Sequence, residues 1–163
     1  MPSSSSSLPQ LKILRAYAKL DDASIAAAAL PPTVYFSHTR HTLTVFDAYP
    51  KALFHFLVLP RIRVRAAGSS SHGDGDEVMV PVMEDAEDLT SLRTLLQRAA
   101  SGSGSSSSSS SGAADARVRA EGTLSVLADE AARVRSEIER EMRARYGFAW
   151  PIWVGFHAVP SME

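Results

Sequence analysis

The sequence predicts an α+β protein with an antiparallel sheet and flanking helices. Three short runs between Thr33 and Pro60 are rich in aromatic and β-branched residues, which is typical of strands. Apolar residues recur every three or four positions before these runs and over a long stretch after them, which predicts amphipathic helices. Because the strands are consecutive and do not alternate with helices, a parallel α/β sheet is disfavoured.

Composition bounds the kind of protein. The chain has 163 residues and is 45% hydrophobic, so it is long enough for one ordinary domain with a packed core. It contains no cysteine, which excludes disulfides and thiolate zinc sites within this sequence. The opening "MPSSSSS" lacks the basic and apolar regions of a secretory signal, and the run "ASIAAAALPP" is too short and too weakly apolar to span a bilayer.

The net charge of −1 conceals an uneven distribution. Residues 1–65 contain eight basic and three acidic residues, whereas residues 66–90 contain seven acidic residues and no basic one. A basic first part fits an anionic ligand better than the overall charge suggests. From charge alone, however, charge scattered over a solvated surface is the favoured interpretation.

The first elements are a helix and a hairpin. Residues 1–7 are Ser-rich and expected to be disordered, and a short helix is expected from Leu8 to Leu20. Its apolar stripe comprises Leu11, Leu14, Tyr17 and Ala18. Two prolines at 31 and 32 end whatever precedes them. "TVYFSH" and "TLTVFDAY" predict a hairpin that turns at His38–His41, and "LFHFLVLP" predicts a central, largely buried strand.

Two polar stretches follow, with a helix between them. Residues at about 66–84 form an acidic loop that is flexible by composition, and the Gly/Ser stretch at about 101–114 is a low-complexity linker. Asp85 or Asp88 is expected to cap the intervening helix. Its apolar face comprises Leu89, Leu92, Leu95 and Leu96.

A long amphipathic helix and a strand complete the predicted order. The helix is expected at roughly Ala116 to Tyr146, with Gly122 as a candidate interruption and Gly147 as its stop. Its apolar stripe comprises Leu124, Leu127, Ala131, Val134, Ile138 and Met142. Aromatic and β-branched residues from Trp150 to Val159 predict a strand with neighbours on both sides.

Taken one at a time, the reactive side chains do not form a catalytic signature. Ser161 and His157 lie four residues apart, but no orienting acid accompanies them, and coincidence is the favoured interpretation. His38 and His41 lie in the hairpin turn, where solvated histidines are favoured over metal binding, so no metal site is predicted. His55 alternates with two phenylalanines in the third strand, as either a hydrogen-bonded structural residue or one that faces a ligand.

Two longer stretches carry more information in combination. "DAYPKALFHFLVLPR" (Asp47–Arg61) and "VGFHAVPSM" (Val154–Met162) resemble two signature stretches of the aprataxin branch of the histidine-triad (HIT) superfamily. In that family a Tyr-Pro-Lys turn leads into a strand that contains a histidine and ends in Leu-Pro. The resemblance covers most of the chain from about Leu11 on, apart from the acidic loop and the linker, and is greatest to compact fungal-type members. It implies a partial HIT-like domain over residues 8–163.

The resemblance also implies an activity. Aprataxin-like enzymes remove AMP from 5′-adenylated DNA ends, through a nucleotidyl-histidine formed by the middle histidine of His-x-His-x-His. In the family this motif, and then a module with a structural zinc, follow the Pro-Ser-Met step. This sequence ends at Glu163, before both. We therefore expect a chain truncated at its C-terminus, without catalytic residues, without a cofactor of its own and without adenylate-removing activity.

By motif position, five residues match family residues at or supporting the nucleotide and DNA-end site: Lys51, His55, His157, Ser161 and Met162. The resemblance implies that Lys51 supplies positive charge and that His55 supports the pocket from the sheet. It also implies that Ser161 contacts phosphate and that His157 contacts the nucleotide or nucleic-acid end. Lys51 and Arg61 are further expected to contact DNA phosphates without regard to base sequence.

The expected partners are DNA with adenylated or broken ends, and AMP or another adenine nucleotide. We expect a nuclear monomer that acts in single-strand break repair and does not bind membranes. Two alternatives remain open. One is a general HIT hydrolase of dinucleoside polyphosphates. The other is a non-catalytic nucleic-acid-binding or vestigial fragment, which the missing triad favours.

Overall fold

A computed structural model describes residues 9–62, 81–83, 89, 91–100 and 110–156. Within these residues the chain forms a three-stranded antiparallel sheet and four helices, which confirms the predicted α+β class. The contacts divide the chain into two compact units, residues 1–63 and 64–163. Each unit is described by itself.

The first unit contains two helices and the sheet. Its elements are α1 (Pro9–Ala18), α2 (Asp22–Ala26), β1 (Tyr35–His38), β2 (Thr42–Phe46) and β3 (Phe56–Pro60). The strand order is β1-β2-β3, with both pairs antiparallel. The predicted hairpin is confirmed, because β1 and β2 pair across the turn between His38 and Thr42. In that turn Thr39 Oγ1 accepts the N–H of His41 at 3.2 Å and of Thr42 at 3.0 Å.

The core of the first unit lies between its helices and one face of the sheet. Alternation along β2 places Leu43 and Val45 on the same face, and both side chains are fully buried. They pack with Ile25, which lies in α2, and with Leu30, which follows α2. The predicted apolar stripe of α1 also packs against this cluster, through Leu14 and Tyr17.

The prediction for the third strand is wrong in one respect. Residues 56–60 of β3 are all half-buried and, among the described strands, pair with β2 alone. β3 is therefore an edge strand of the described sheet and not a central one. An unbroken apolar run indicates burial of both faces, but it does not fix how many strands lie beside it.

The second unit is built on two helices, α3 (Leu92–Ala100) and α4 (Ser110–Tyr146). The expected cap of α3 is wrong, because the helix begins at Leu92 and Ser91 Oγ accepts the Thr94 N–H at 3.1 Å. The capping position directly before Leu92 is thus occupied by Ser91. Leu95 is buried in the unit's core, whereas Leu96 is exposed.

The helix α4 is longer than expected. It begins at Ser110, within the stretch expected to be a linker, and continues through Gly122 without a break. Its end is as predicted: Gly147 has φ of +78° and its N–H donates to Arg143 O at 2.9 Å. Only glycine adopts this left-handed conformation without a steric cost. The predicted stripe is buried or half-buried along the helix.

A buried hydroxyl joins α4 to the segment before α3. Met83, Leu95 and Ala120 form the core of the second unit. Beside them, Thr123 Oγ1 donates to Arg119 O and accepts the Met83 N–H, both at 2.8 Å. Thr123 is nearly inaccessible to solvent, so the hydroxyl satisfies a main-chain donor that would otherwise be buried without a partner.

The described part of the predicted last strand is irregular. Residues 149–156 form no strand, and the Trp153 side chain is 94% exposed. β-rich composition is not sufficient for a strand, since the main-chain groups also need a neighbouring strand to bond with. The aromatic rings instead pack locally, with Trp150 against Tyr146 and Phe148 at centroid distances of 5.2 and 4.5 Å.

Several expectations fall outside the described residues. They concern the Ser-rich start, most of the acidic loop and most of the Gly/Ser linker. In the part of the chain that the structure describes, no helix has both the length and the apolar character needed to cross a membrane.

Candidate functional site

The candidate site is the turn that joins β2 to β3. Beyond the last strand pair, Phe46 with Phe56, the Asp47 N–H donates to His55 O at 3.0 Å. This bond closes the chain into a loop of residues 48–54 at one end of the sheet. Pro50 lies in this loop and has no N–H to satisfy, as is usual for proline in turns.

Asp47 organises the loop, although it is not among the five predicted site residues. Its Oδ1 accepts the Tyr49 N–H at 2.9 Å, and its Oδ2 lies 3.1 Å from His55 Nδ1. The sequence did contain a signal, because Asp followed two residues later by the start of a Tyr-Pro turn favours this side-chain bond to the main chain. The Asp47 side chain is only 18% exposed, so its carboxylate is held mainly by the protein.

His55 fixes the other end of the turn. The Lys51 N–H donates to His55 Nδ1 at 3.2 Å, and the His55 side chain is 25% exposed. This bond holds the main chain of Lys51 in place. Lys51 itself is exposed, so its side chain is accessible to solvent. An ammonium group on a fixed main chain loses less conformational entropy when it binds an anion than one on a free loop does.

A cluster of three phenylalanines lies at the same end of the sheet. Phe36, Phe46 and Phe56 come from the three strands, and their centroids are 4.7 to 5.7 Å apart. Phe46 directly precedes Asp47, and Phe56 directly follows His55. Partly exposed aromatic rings therefore adjoin the polar turn.

The structure thus brings together two of the five predicted site residues, Lys51 and His55. His157, Ser161 and Met162 lie outside the described residues. Their placement beside Lys51 stays a prediction.

Arg61 has a structural role in place of the expected contact with DNA phosphates. Its side chain is 7% exposed, and its guanidinium donates to Leu20 O at 2.7 Å and Thr39 O at 3.0 Å. It also forms an ion pair with Asp22. The expectation that Arg61 contacts DNA is wrong for the folded chain, because its guanidinium is already bonded within the protein. Its bonds join the hairpin turn, the α1–α2 connection and the start of α2 to the end of β3.

The hairpin turn borders a polar depression beside Arg61. This depression has a volume of about 500 Å³ and is lined by Asp22, His38, Thr39 and Arg40. His38 Nδ1 is 2.9 Å from the Tyr35 hydroxyl, and its Nε2 is 3.8 Å from Asp22 Oδ1. Within the described ranges, no group of three or more His, Asp or Glu side chains is placed to hold a metal ion.

Comparison of the chain with known protein families, with curated proteins and with solved structures gave no match.

Proposed function

We propose that this chain is an aprataxin-like, HIT-fold DNA repair protein that binds adenine nucleotides and adenylated or broken DNA ends in the nucleus. The observation that carries the proposal is the turn at Tyr49–Lys51. Asp47 and His55 hold its main chain, and the Lys51 side chain projects outward. The turn belongs to the stretch "DAYPKALFHFLVLPR", which resembles the family.

The chemistry of the turn suits a nucleotide monophosphate. An ammonium group attracts a phosphate, and an exposed ion pair contributes about 1 kcal/mol or less. The adjoining rings of Phe46 and Phe56 offer apolar surface on which a base can stack. Phosphate and base contacts together favour AMP over either part alone.

These 163 residues are proposed to bind the nucleotide or the adenylated DNA end without removing the adenylate. They contain no His-x-His-x-His, and the Nδ1 of His55 is engaged within the turn. The same observations favour the non-catalytic alternative, because a dinucleoside polyphosphate hydrolase of the superfamily also needs a nucleophilic triad histidine. We expect no AMP release when the chain is incubated with 5′-adenylated nicked DNA, and enzyme-dependent release would contradict this.

The test is calorimetric titration of the whole chain with AMP and with adenosine, which lacks the phosphate. AMP is expected to bind more tightly, because only AMP engages the Lys51 ammonium. Lys51→Ala should reduce AMP affinity about fivefold, the equivalent of about 1 kcal/mol, and leave adenosine affinity unchanged. Lys12→Ala is the matched control, since Lys12 is an exposed lysine on α1. Equal affinity for AMP and adenosine, or equal effects of the two substitutions, would rule the proposal out.

A further inference from the structure

His55 Nδ1 has two partners whose requirements conflict. The Lys51 N–H, 3.2 Å away, needs a lone pair on Nδ1. The Asp47 Oδ2, 3.1 Å away, needs a proton on Nδ1. One nitrogen cannot provide both, so the state of the ring decides which bond is made.

We propose that His55 is a proton-dependent latch that holds Lys51 in place when the ring is neutral and releases it when the ring is charged. With the proton on Nε2, Nδ1 accepts the Lys51 N–H and the turn is closed at both ends. When the ring gains a second proton, Nδ1–H donates to the Asp47 carboxylate in a charge-assisted bond. The Lys51 N–H then loses its acceptor and donates a hydrogen bond to water in its place.

The surroundings allow this exchange. Among the described residues, the charged residues that contact the ring are Asp47, from the end of β2, and Lys51, from the turn. Asp47 keeps its bond to the Tyr49 N–H through the other carboxylate oxygen, so the start of the turn stays anchored in both states. The released end is exposed at Lys51, where water can replace the lost acceptor. Histidine is the side chain whose charge ordinarily changes between about pH 5 and 8.

The consequence for ligand binding rests on the proposed function, but the latch itself does not. Lys51 is the residue proposed to meet a phosphate, so releasing its main chain in mild acid makes that contact less ordered. Phosphate monoesters also titrate near pH 6, so binding of AMP would report two protonations at once. The latch is therefore best tested on ligand-free protein.

The experiment is an NMR titration of the isotope-labelled, ligand-free chain between about pH 5 and 8. The Lys51 amide and the His55 ring are expected to shift with one shared midpoint. In Asp47→Asn the charged ring has no carboxylate to bond with, so the His55 ring signals should change less on acidification than they do in the wild-type chain. His55→Asn keeps an acceptor near the Nδ1 position without a titrating group, and should abolish the Lys51 shift.

The control is His38→Asn, which removes another histidine of the first unit and should leave the Lys51 titration unchanged. A Lys51 amide that does not follow the His55 midpoint would overturn the latch, as would a full Lys51 titration in His55→Asn. If His55→Asn does not fold, the wild-type chain and Asp47→Asn decide the matter. An Asp47→Asn chain whose His55 ring signals change on acidification by as much as those of the wild-type chain would then count against the latch. Failure of AMP binding, with the latch intact, would contradict the proposed function alone.

Discussion

Arg61 shows how one side chain can hold three separate parts of a fold. It follows β3 and bonds to Leu20 in the α1–α2 connection, to Asp22 at the start of α2 and to the hairpin turn. It was expected to contact DNA phosphates, because it belongs to the basic first part of the chain. Burial depends on the path of the α1–α2 connection, which no local pattern around residue 61 encodes.

Replacing Arg61 is therefore expected to affect the stability of the fold more strongly than the affinity of the chain for DNA. Arg61→Ala leaves the Leu20 and Thr39 carbonyls without their donor and should reduce the free energy of unfolding by about 2–4 kcal/mol. Urea denaturation followed by circular dichroism measures this. Lys12→Ala, at an exposed position, should change it by less than about 0.5 kcal/mol. Similar midpoints for the two variants would show that the Arg61 bonds contribute little.

Asp21 gives a pH-dependent contact at the start of α2. Hydrogen bonds with Ser24, from its side chain first and its main-chain N–H second, hold the pKa of Asp21 below its ordinary value of 3.8. A lowered pKa means that the stabilisation is present above 3.8 and is lost as the pH falls through the folded value. The Ser24 amide should therefore shift in NMR spectra only below about pH 4.

The control for this titration is Asp21→Asn. The amide oxygen of Asn still accepts the Ser24 N–H but does not titrate in acid. The acid shift of Ser24 should disappear in this variant. Its persistence would assign the titration to another carboxylate.

At the scale of elements, the helices were the most predictable part of the chain. The apolar spacing in α1 and α4 identified both helices and their buried faces, and Gly147 marked the end of α4 because it supplies the left-handed residue. Starts were harder. Ser91, and not Asp85 or Asp88, caps α3, because several residues near a helix start can serve and only the path of the chain selects one.

Strands and the candidate site needed contacts that are distant in sequence. The aromatic segment at 150–156 resembles β3 in composition, yet only β3 pairs with a neighbour among the described residues. In the site, Lys51 and His55 could be identified from the motif. The sequence signals the bond of Asp47 to the Tyr49 N–H, but the contact of Asp47 with His55 depends on the strand pairing.

Two arginines on α4 offer a matched comparison of ion pairs. Arg133 bonds both oxygens of Glu130, a carboxylate that is 3% exposed, and this hydrogen-bonded contact raises the pKa of Arg133. Arg135 bonds Glu139 on a more exposed surface, at 3.0 Å. Removing one partner of a buried charge costs more than removing one partner of an exposed charge.

Arg133→Ala should therefore lower the free energy of unfolding by about 1–2 kcal/mol, a value reduced for the partial exposure of Arg133. Arg135→Ala should lower it by about 0.5 kcal/mol or less. Thermal unfolding at low and high salt separates the two, since the buried pair is screened less. If the two variants lost equal amounts of unfolding free energy, and high salt abolished both losses, Glu130 would be effectively solvated.

At the scale of the whole molecule, the charge distribution and the candidate site lie in the same part of the chain. The net charge is only −1, but the basic excess falls in residues 1–65, which contain the sheet and the turn at Lys51. Phosphate contacts release counterions, so any binding of DNA should weaken as salt increases. Arg61 is engaged internally, which leaves Lys51 as the residue of the motif with an exposed cationic side chain.

The most direct measurement compares the affinity of the whole chain for nicked DNA with a 5′-adenylated end and for the same DNA with a 5′-phosphate. Fluorescence anisotropy at one fixed salt concentration gives both values. The adenylated end should bind more tightly. Lys51→Ala should narrow that difference, with a loss of about fivefold for the adenylated end, whereas Lys12→Ala should lower both affinities alike. Equal affinity for the two ends, or a difference that Lys51→Ala leaves intact, would contradict a nucleotide-binding role for the Tyr49–Lys51 turn.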